Sequence, residues 1–150
     1  MRIRKKIKVS LFTIGAVLFI ASFAFSLPQD EQVVSGSASF DRSTENTLNV
    51  NTPSDKLIVE YNSFNIAQQE TVNFNQPSAS AVALNRVIGS DPSAIAGALK
   101  ANGQVFVVNP NGIMFTATSR VDVAGLVAST LDISNEDFLD LDGKYNFLKS

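Results

Sequence analysis

Beyond Pro28 the apolar residues come in short runs cut by Asn, Gly, Ser, Asp and Pro, and no stretch holds a helical period long enough for an amphipathic helix. This pattern predicts strands over Ala38–Phe40, Leu48–Val50, Lys56–Tyr61, Thr71–Phe74, Ala81–Leu84, Gln104–Val108, Ile113–Thr116, Val121–Val123, Thr130–Ile133 and Tyr145–Leu148. Turn chemistry falls between them at 51–55, 75–78, 89–93 and 109–112. One stretch reads differently. Pro92–Ala101 fits one or two helical turns or an irregular turn, with Asp91 as N-cap, Pro92 at the first position and Gly103 at the exit.

Many short strands at close spacing indicate an all-β protein: a sandwich, a closed barrel or a parallel β-helix. Sandwiches and barrels favour tight hairpins with Asn-Gly or Asp-Gly turns, and Asn111-Gly112 is the clearest such pair here. Asn62, Asn65, Asn73, Asn75 and Asn85 suit β-helix corners, because Asn tolerates left-handed backbone and its amides stack between coils. No clean numerical repeat accompanies them, so the residue pattern leaves the three architectures open.

The amino terminus has a separate logic. Arg2, Arg4, Lys5, Lys6 and Lys8 precede an uncharged run from Val9 to Phe25. As a helix that run reaches about 26 Å, short of a ~30 Å hydrocarbon core. A basic head, an apolar run and small residues after it describe a secretory signal over residues 1–26, cleaved between Ser26 and Leu27, with Ser22-Phe23-Ala24 as a second site and an uncleaved anchor as the alternative. The exported domain is then 27–150.

Composition narrows the chemistry. The 150 residues include no Cys, His or Trp, which excludes a disulfide scaffold, Cys/His zinc sites and thiol or imidazole catalysis. Five of the twelve basic residues lie in the head; the rest of the chain sets seven against fourteen acidic ones. An acidic domain has no electrostatic attraction to nucleic acid or anionic lipid.

The most distinctive stretch is Val105–Phe115. Pro110 fixes φ at the second turn position, Asn109 suits the first, and Asn111 and Gly112 suit the third and fourth. Two apolar strands are thereby joined by a stiff corner. Around it, in order, stand Ser63-Phe64-Asn65-Ile66, Glu70–Ser78, Ala83–Gly89, Ala101–Phe106, Asn109–Ile113 and Ala124–Thr130. Together these six blocks resemble the amino-terminal secretion domain of filamentous haemagglutinin-like exoproteins, the secreted partners of two-partner secretion, over roughly Val34 to Phe147. The resemblance departs at Tyr61, where Trp is common, at Ala67-Gln68-Gln69, and at Thr116, where Gly is usual.

The resemblance implies a right-handed parallel β-helix with an amino-terminal cap and short extra-helical strands. It implies export by the general secretory machinery, then recognition by the periplasmic POTRA domains of an outer-membrane barrel transporter. It further implies nucleation of folding for an adhesin- or haemagglutinin-type passenger acting at a host or neighbouring-cell surface. Motif residues carried over are Asn109, Pro110, Asn111, Gly112 and Ile113, with Asn85 and Arg86 and with Asn75, Gln76 and Pro77; they either touch the transporter or shape the fold. No cofactor and no catalytic residue is implied. Exoproteins of this kind run on for hundreds of residues, so the chain reads as a fragment, a truncated gene product or a minimal standalone domain. Two other functions compete. A β-helix enzyme cleaving acidic polysaccharide has Asp122, Asp132, Asp137, Asp140 and Asp142 to draw on, but only Arg120 and Lys144 nearby as bases; an acidic edge at Asp132, Glu136, Asp137, Asp140 and Asp142 reads as solvated surface or a calcium loop. A carbohydrate- or surface-binding module needs an exposed aromatic or amide-lined groove.

Overall fold

The computed structural model describes residues 27–148, so the expected signal segment and its cleavage site lie outside it up to Ser26. Along the chain run β1 (Gln32–Ser35), β2 (Ser39–Asp41), β3 (Thr47–Asn51), β4 (Lys56–Tyr61), β5 (Thr71–Asn75), β6 (Val82–Val87), β7 (Ser93–Ile95), β8 (Ala98–Ala101), β9 (Gln104–Val108), β10 (Ile113–Phe115), β11 (Arg120–Asp122), β12 (Gly125–Ser129) and α1 (Asn135–Leu139). They wind into a parallel β-solenoid of about four turns.

Three strand stacks form its faces. One is β3-β5-β8-β11, the second β4-β6-β9-β12, and the third the short pair β7-β10, extended by a bridge from Ile66 to Ile95. All these pairings are parallel and in register, for instance Leu57↔Ala83↔Val105↔Leu126 along the second stack. The amino-terminal end is closed differently. β1 lies antiparallel on β4 and β2 antiparallel on β3, so the first turn's edge is covered rather than left as a template.

The interior of the coil is one apolar cluster in which Leu48, Leu57, Tyr61, Phe64, Phe74, Ile95 and Leu99 are all but fully buried. In the first stack β3 and β5 alternate inward and outward, and their outward positions carry an amide ladder. Asn73 Nδ2 donates to Asn49 Oδ1 at 3.2 Å and Asn75 Nδ2 to Asn51 Oδ1 at 2.7 Å, both across 24 residues. Expected stacking of Asn amides between turns is therefore present, on strands as well as at corners.

The sequence-based strands agree closely at Lys56–Tyr61 and Gln104–Val108, and three readings are corrected. Pro92–Ala101 forms two strands, not helical turns. A Cβ on Gly97 would stand 2.1 Å from the Ala67 carbonyl oxygen and 2.3 Å from that of Glu70, and Ala98 N donates to Glu70 O at 2.9 Å. Contact with the turn below thus holds this backbone extended. The fourth-turn strand is Gly125–Ser129 rather than Thr130–Ile133, because Leu126 and Ala128 stack on Val105 and Val107. Tyr145–Leu148 contributes only the bridge Asp132↔Leu148.

The carboxy-terminal segment 131–148 was expected to hold no helix. It contains α1, capped by Ser134 Oγ on Asp137 N at 3.1 Å. The segment straps the outer side of the second stack. Ile133, Phe138, Tyr145 and Phe147 bury a second apolar cluster with Ile58, Val82, Leu84, Phe106 and Val108. A stack covered on both sides explains why β9 reads Val105-Phe106-Val107-Val108 without alternation.

Candidate secretion site

The motif at 109–113 is the corner between β9 and β10. Asn109 is 0% exposed. Its Nδ2 donates to Asp91 O at 3.0 Å and Ser93 Oγ at 2.9 Å, on the turn below. Its Oδ1 accepts from Asn111 N at 2.9 Å and Asn111 Nδ2 at 3.1 Å. Asn111 Nδ2 also donates to Gly89 O at 2.9 Å. Gly112 takes φ +114°, left-handed backbone that favours glycine, and its carbonyl accepts from Ser93 N at 2.9 Å. Pro110 and Asn111 are exposed; Gly112 and Ile113 are partly buried. The corner is therefore a clasp between consecutive turns, with only its tip available to a partner.

Asn75, Gln76 and Pro77 occupy a different corner, between β5 and β6. Gln76 N donates to Asn102 Oδ1 at 2.7 Å and Asn102 Nδ2 returns a bond to Gln76 O at 2.6 Å. Gln76 Nε2 reaches Ala81 O and Gln104 O. Pro77 and Asn75 are exposed. Asn85, fully buried in β6, pairs in register with Val59 and Val107 and donates through Nδ2 to Ala83 O and Phe106 O. These residues hold turns together, and among the described residues no hydrogen bond joins the 75–77 corner to the 109–113 corner.

Arg86 faces the other way. Nε donates to Asp132 Oδ1 at 2.9 Å, Nη1 to Asn135 Oδ1 at 3.0 Å and Nη2 to Ile133 O at 2.6 Å, while Glu60 lies 3.4 Å from Nη1. Asp132, expected on a solvated acidic edge, is instead an ion-pair partner of Arg86. Lys56, which the sequence did not mark, donates Nζ to Phe138 O at 2.7 Å and to Asp140 O, at the carboxy-terminal end of α1, and sits over the Phe138 and Tyr145 rings. Two cations on adjacent turns thus pin the strap. Asp137 accepts from Asn146 N at 2.6 Å and Nδ2 at 2.7 Å, and these bonds hold its carboxyl below the usual range. Among the described residues no group of three or more acidic side chains is placed to hold a metal ion.

Arg86→Met keeps the apolar stem and removes the bonds. It should cost about 2 kcal/mol, leaving Ile133 O without its donor; partial exposure of Glu60 and Asp132 limits the ion-pair share. Urea unfolding followed by tyrosine signal measures this. A loss below about 0.5 kcal/mol would mean that the strap holds without Arg86.

The opposite end of the coil is built unlike the cap. The fourth turn supplies β11 and β12, and among the described residues no strand pairs with the outer edges of β10, β11 or β12. Inward positions there are open: Phe115 is 36% exposed, Val121 41% and Leu126 38%, although their register partners Ile95, Leu99 and Val105 are fully buried. Sequence reading placed strands over Phe115 and Val121 and missed that of Leu126, and it had no signal for which strand would be last.

Known proteins of the same build account for this combination. The model of the TPS secretion domain matches residues 24–147. Two Heme/hemopexin-binding proteins of Haemophilus influenzae are similar: one is 42% identical over 106 residues, 71% of this chain and 11% of its own length; the other, from strain Rd, is 41% identical over 111 residues, 73% and 12%. The crystal structure of the HMW1 secretion domain from H. influenzae superposes with a TM-score of 0.71 at 38% identity, over 74% of this chain and 29% of that one. The chain spans about a tenth of the curated relatives' length. Such exoproteins are secreted and depend on an outer-membrane transporter, and this chain belongs to the family of TPS secretion domains of two-partner-secretion exoproteins.

Proposed function

We propose that residues 1–26 send the chain through the general secretory machinery, that POTRA domains of its outer-membrane transporter recognise the domain before it is fully coiled, and that the folded domain then seeds a β-solenoid passenger of adhesin or haemagglutinin type. The uncapped fourth turn carries this reading. It offers free strand edges and open inward positions at Phe115, Val121 and Leu126, which another turn of the same polypeptide would cover. Parallel, non-local pairing is slow to nucleate, so a preformed last turn removes the costly step. Slow coiling also suits a chain that must reach the transporter open.

The test uses the full exoprotein with its transporter. Leu126→Asp and Val121→Asp sit on partly open positions and should cost the domain itself about 1–2 kcal/mol, which urea unfolding of each variant domain checks beside the passenger. Surface-exposed, protease-resistant passenger should fall at least ten-fold. Normal amounts of folded passenger from both variants would overturn the seeding role. The binding-module alternative has support in the amide ladder of Asn49, Asn51, Asn73 and Asn75, and glycan binding by residues 27–150 alone would favour it.

A further inference from the structure

Asn85 stands in the apolar wall of the coil. Its inward neighbours along β6 are Ala83 and Val87, and its register partners on the turns before and after are Val59 and Val107. All four belong to the main apolar cluster. Asn85 is 0% exposed. Its Nδ2 donates to Ala83 O on its own strand and to Phe106 O on the next turn, both at 3.1 Å. Its Oδ1 finds no donor among the described residues, and neither do the buried Tyr61 Oη and Gln76 Oε1.

An amide oxygen taken out of water without a new partner costs free energy, whereas an aliphatic side chain in the same place gains by burial. A residue that breaks the pattern of its own surroundings, with no contact to compensate, points to a demand other than stability. The order of assembly says where that cost falls. When turns are laid in chain order, β6 covers Val59 before β9 brings Phe106 O, so the amide leaves water before its second acceptor is in place. Folding transition states already bury most of the native surface, so the cost weighs on the rate. We propose that Asn85 is a brake on coiling, which lengthens the time during which the chain is open to its transporter. This rests on the reading that the transporter recognises the domain before it is fully coiled. Asn85 acts through the folding rate rather than by touching the transporter, since the finished coil buries it completely.

The experiment dilutes the full 150-residue chain from urea into detergent buffer. It follows refolding by the tyrosine signal, and at set times offers the chain to the purified transporter and weighs what is captured. Capture of the unaltered chain should fall as it refolds. Asn85→Val, which makes the wall continuous with Val59 and Val107, should speed both refolding and the fall in capture by at least about five-fold. Capture straight after dilution should stay within about two-fold of the unaltered chain. Asn85→Leu, nearer to asparagine in shape, should behave alike. Refolding of both variants no faster than the unaltered chain, or failure of both to coil, would overturn the brake and leave the open-chain reading intact. Loss of the initial capture would overturn it too, because the transporter would then be reading the amide itself. Capture that does not fall as the unaltered chain refolds would overturn the open-chain reading and the brake with it.

Discussion

Asn109→Asp is expected to lower the domain's stability by about 2–4 kcal/mol at pH 7, the cost of a buried charge that the two Asn111 donors compensate only in part. The site is fully buried and its amide donates to Asp91 O and Ser93 Oγ. An ionised carboxylate has no donor, so the Asp91 carbonyl loses its partner and faces the charge, although the Ser93 hydroxyl can turn to donate to it. The folded state therefore favours the neutral acid, and the carboxyl's folded pKa rises above its unfolded value of about 3.9. The sign follows. Below that unfolded value the charge penalty is absent and only about 1 kcal/mol for the lost amide bonds remains. The penalty grows as pH rises through the folded pKa. Urea unfolding of variant and unaltered domain, compared at pH 7 and pH 3.5, measures it. A gap that stays constant between the two pH values would show that the amide is not clasped as described. Asn111→Ala, at the exposed tip, should cost only about 1 kcal/mol, so a secretion defect there with a stable domain would point to contact with the transporter rather than to folding.

Phe106→Ala should cost about 3–5 kcal/mol, the range for a buried aromatic cut to a methyl. The ring lies 6.0 Å from Phe138, 5.0 Å from Tyr145 and 6.1 Å from Phe147 by centroids. It is the part of the solenoid on which the strap closes. Its loss should loosen segment 132–148 before the coil itself opens, because the main cluster inside the coil does not include Phe106. Hydrogen exchange should accelerate at Ile133 and Phe138 while amides of β4 and β6 keep their protection. Uniform acceleration across strap and coil would mean that the two clusters unfold as one unit.

Much of the fold was legible for local reasons. Lys56–Tyr61 and Gln104–Val108 are apolar runs bounded by turn chemistry, and both are strands to the residue. The 109–112 corner was readable because Pro110 sets its own φ and Asn109 can bond Asn111 N two residues on, whatever lies around them. The repeat was not legible. Register partners on successive turns lie 24 residues apart at Asn49 and Asn73, 26 at Val59 and Asn85, 22 at Asn85 and Val107, and 29 at Ile66 and Ile95. Unequal corners absorb the difference, so no fixed period survives in the letters. The strap was missed because α1 has five residues, too short to display a helical period.

For the motif residues, the letters told that Asn85 and Arg86 belong to one block, not that they serve opposite sides of a strand. Adjacent side chains on a strand point to opposite faces, and which face becomes the interior depends on where neighbouring turns are laid. Asn85 went to the coil's core and Arg86 to the strap. Likewise Gly97 is a weak helix residue in isolation and a site of backbone contact once the Ala67–Glu70 turn lies beneath it. The amino-acid sequence by itself determined several of the strands, Lys56–Tyr61 and Gln104–Val108 among them, the proline corner and the family. The tertiary structure alone decided which amides clasp, which cations hold the strap and which end of the coil stays open. The clasp and strap contacts between turns join residues from 16 to 84 positions apart, and short-range chemistry carries no information about who arrives from that distance.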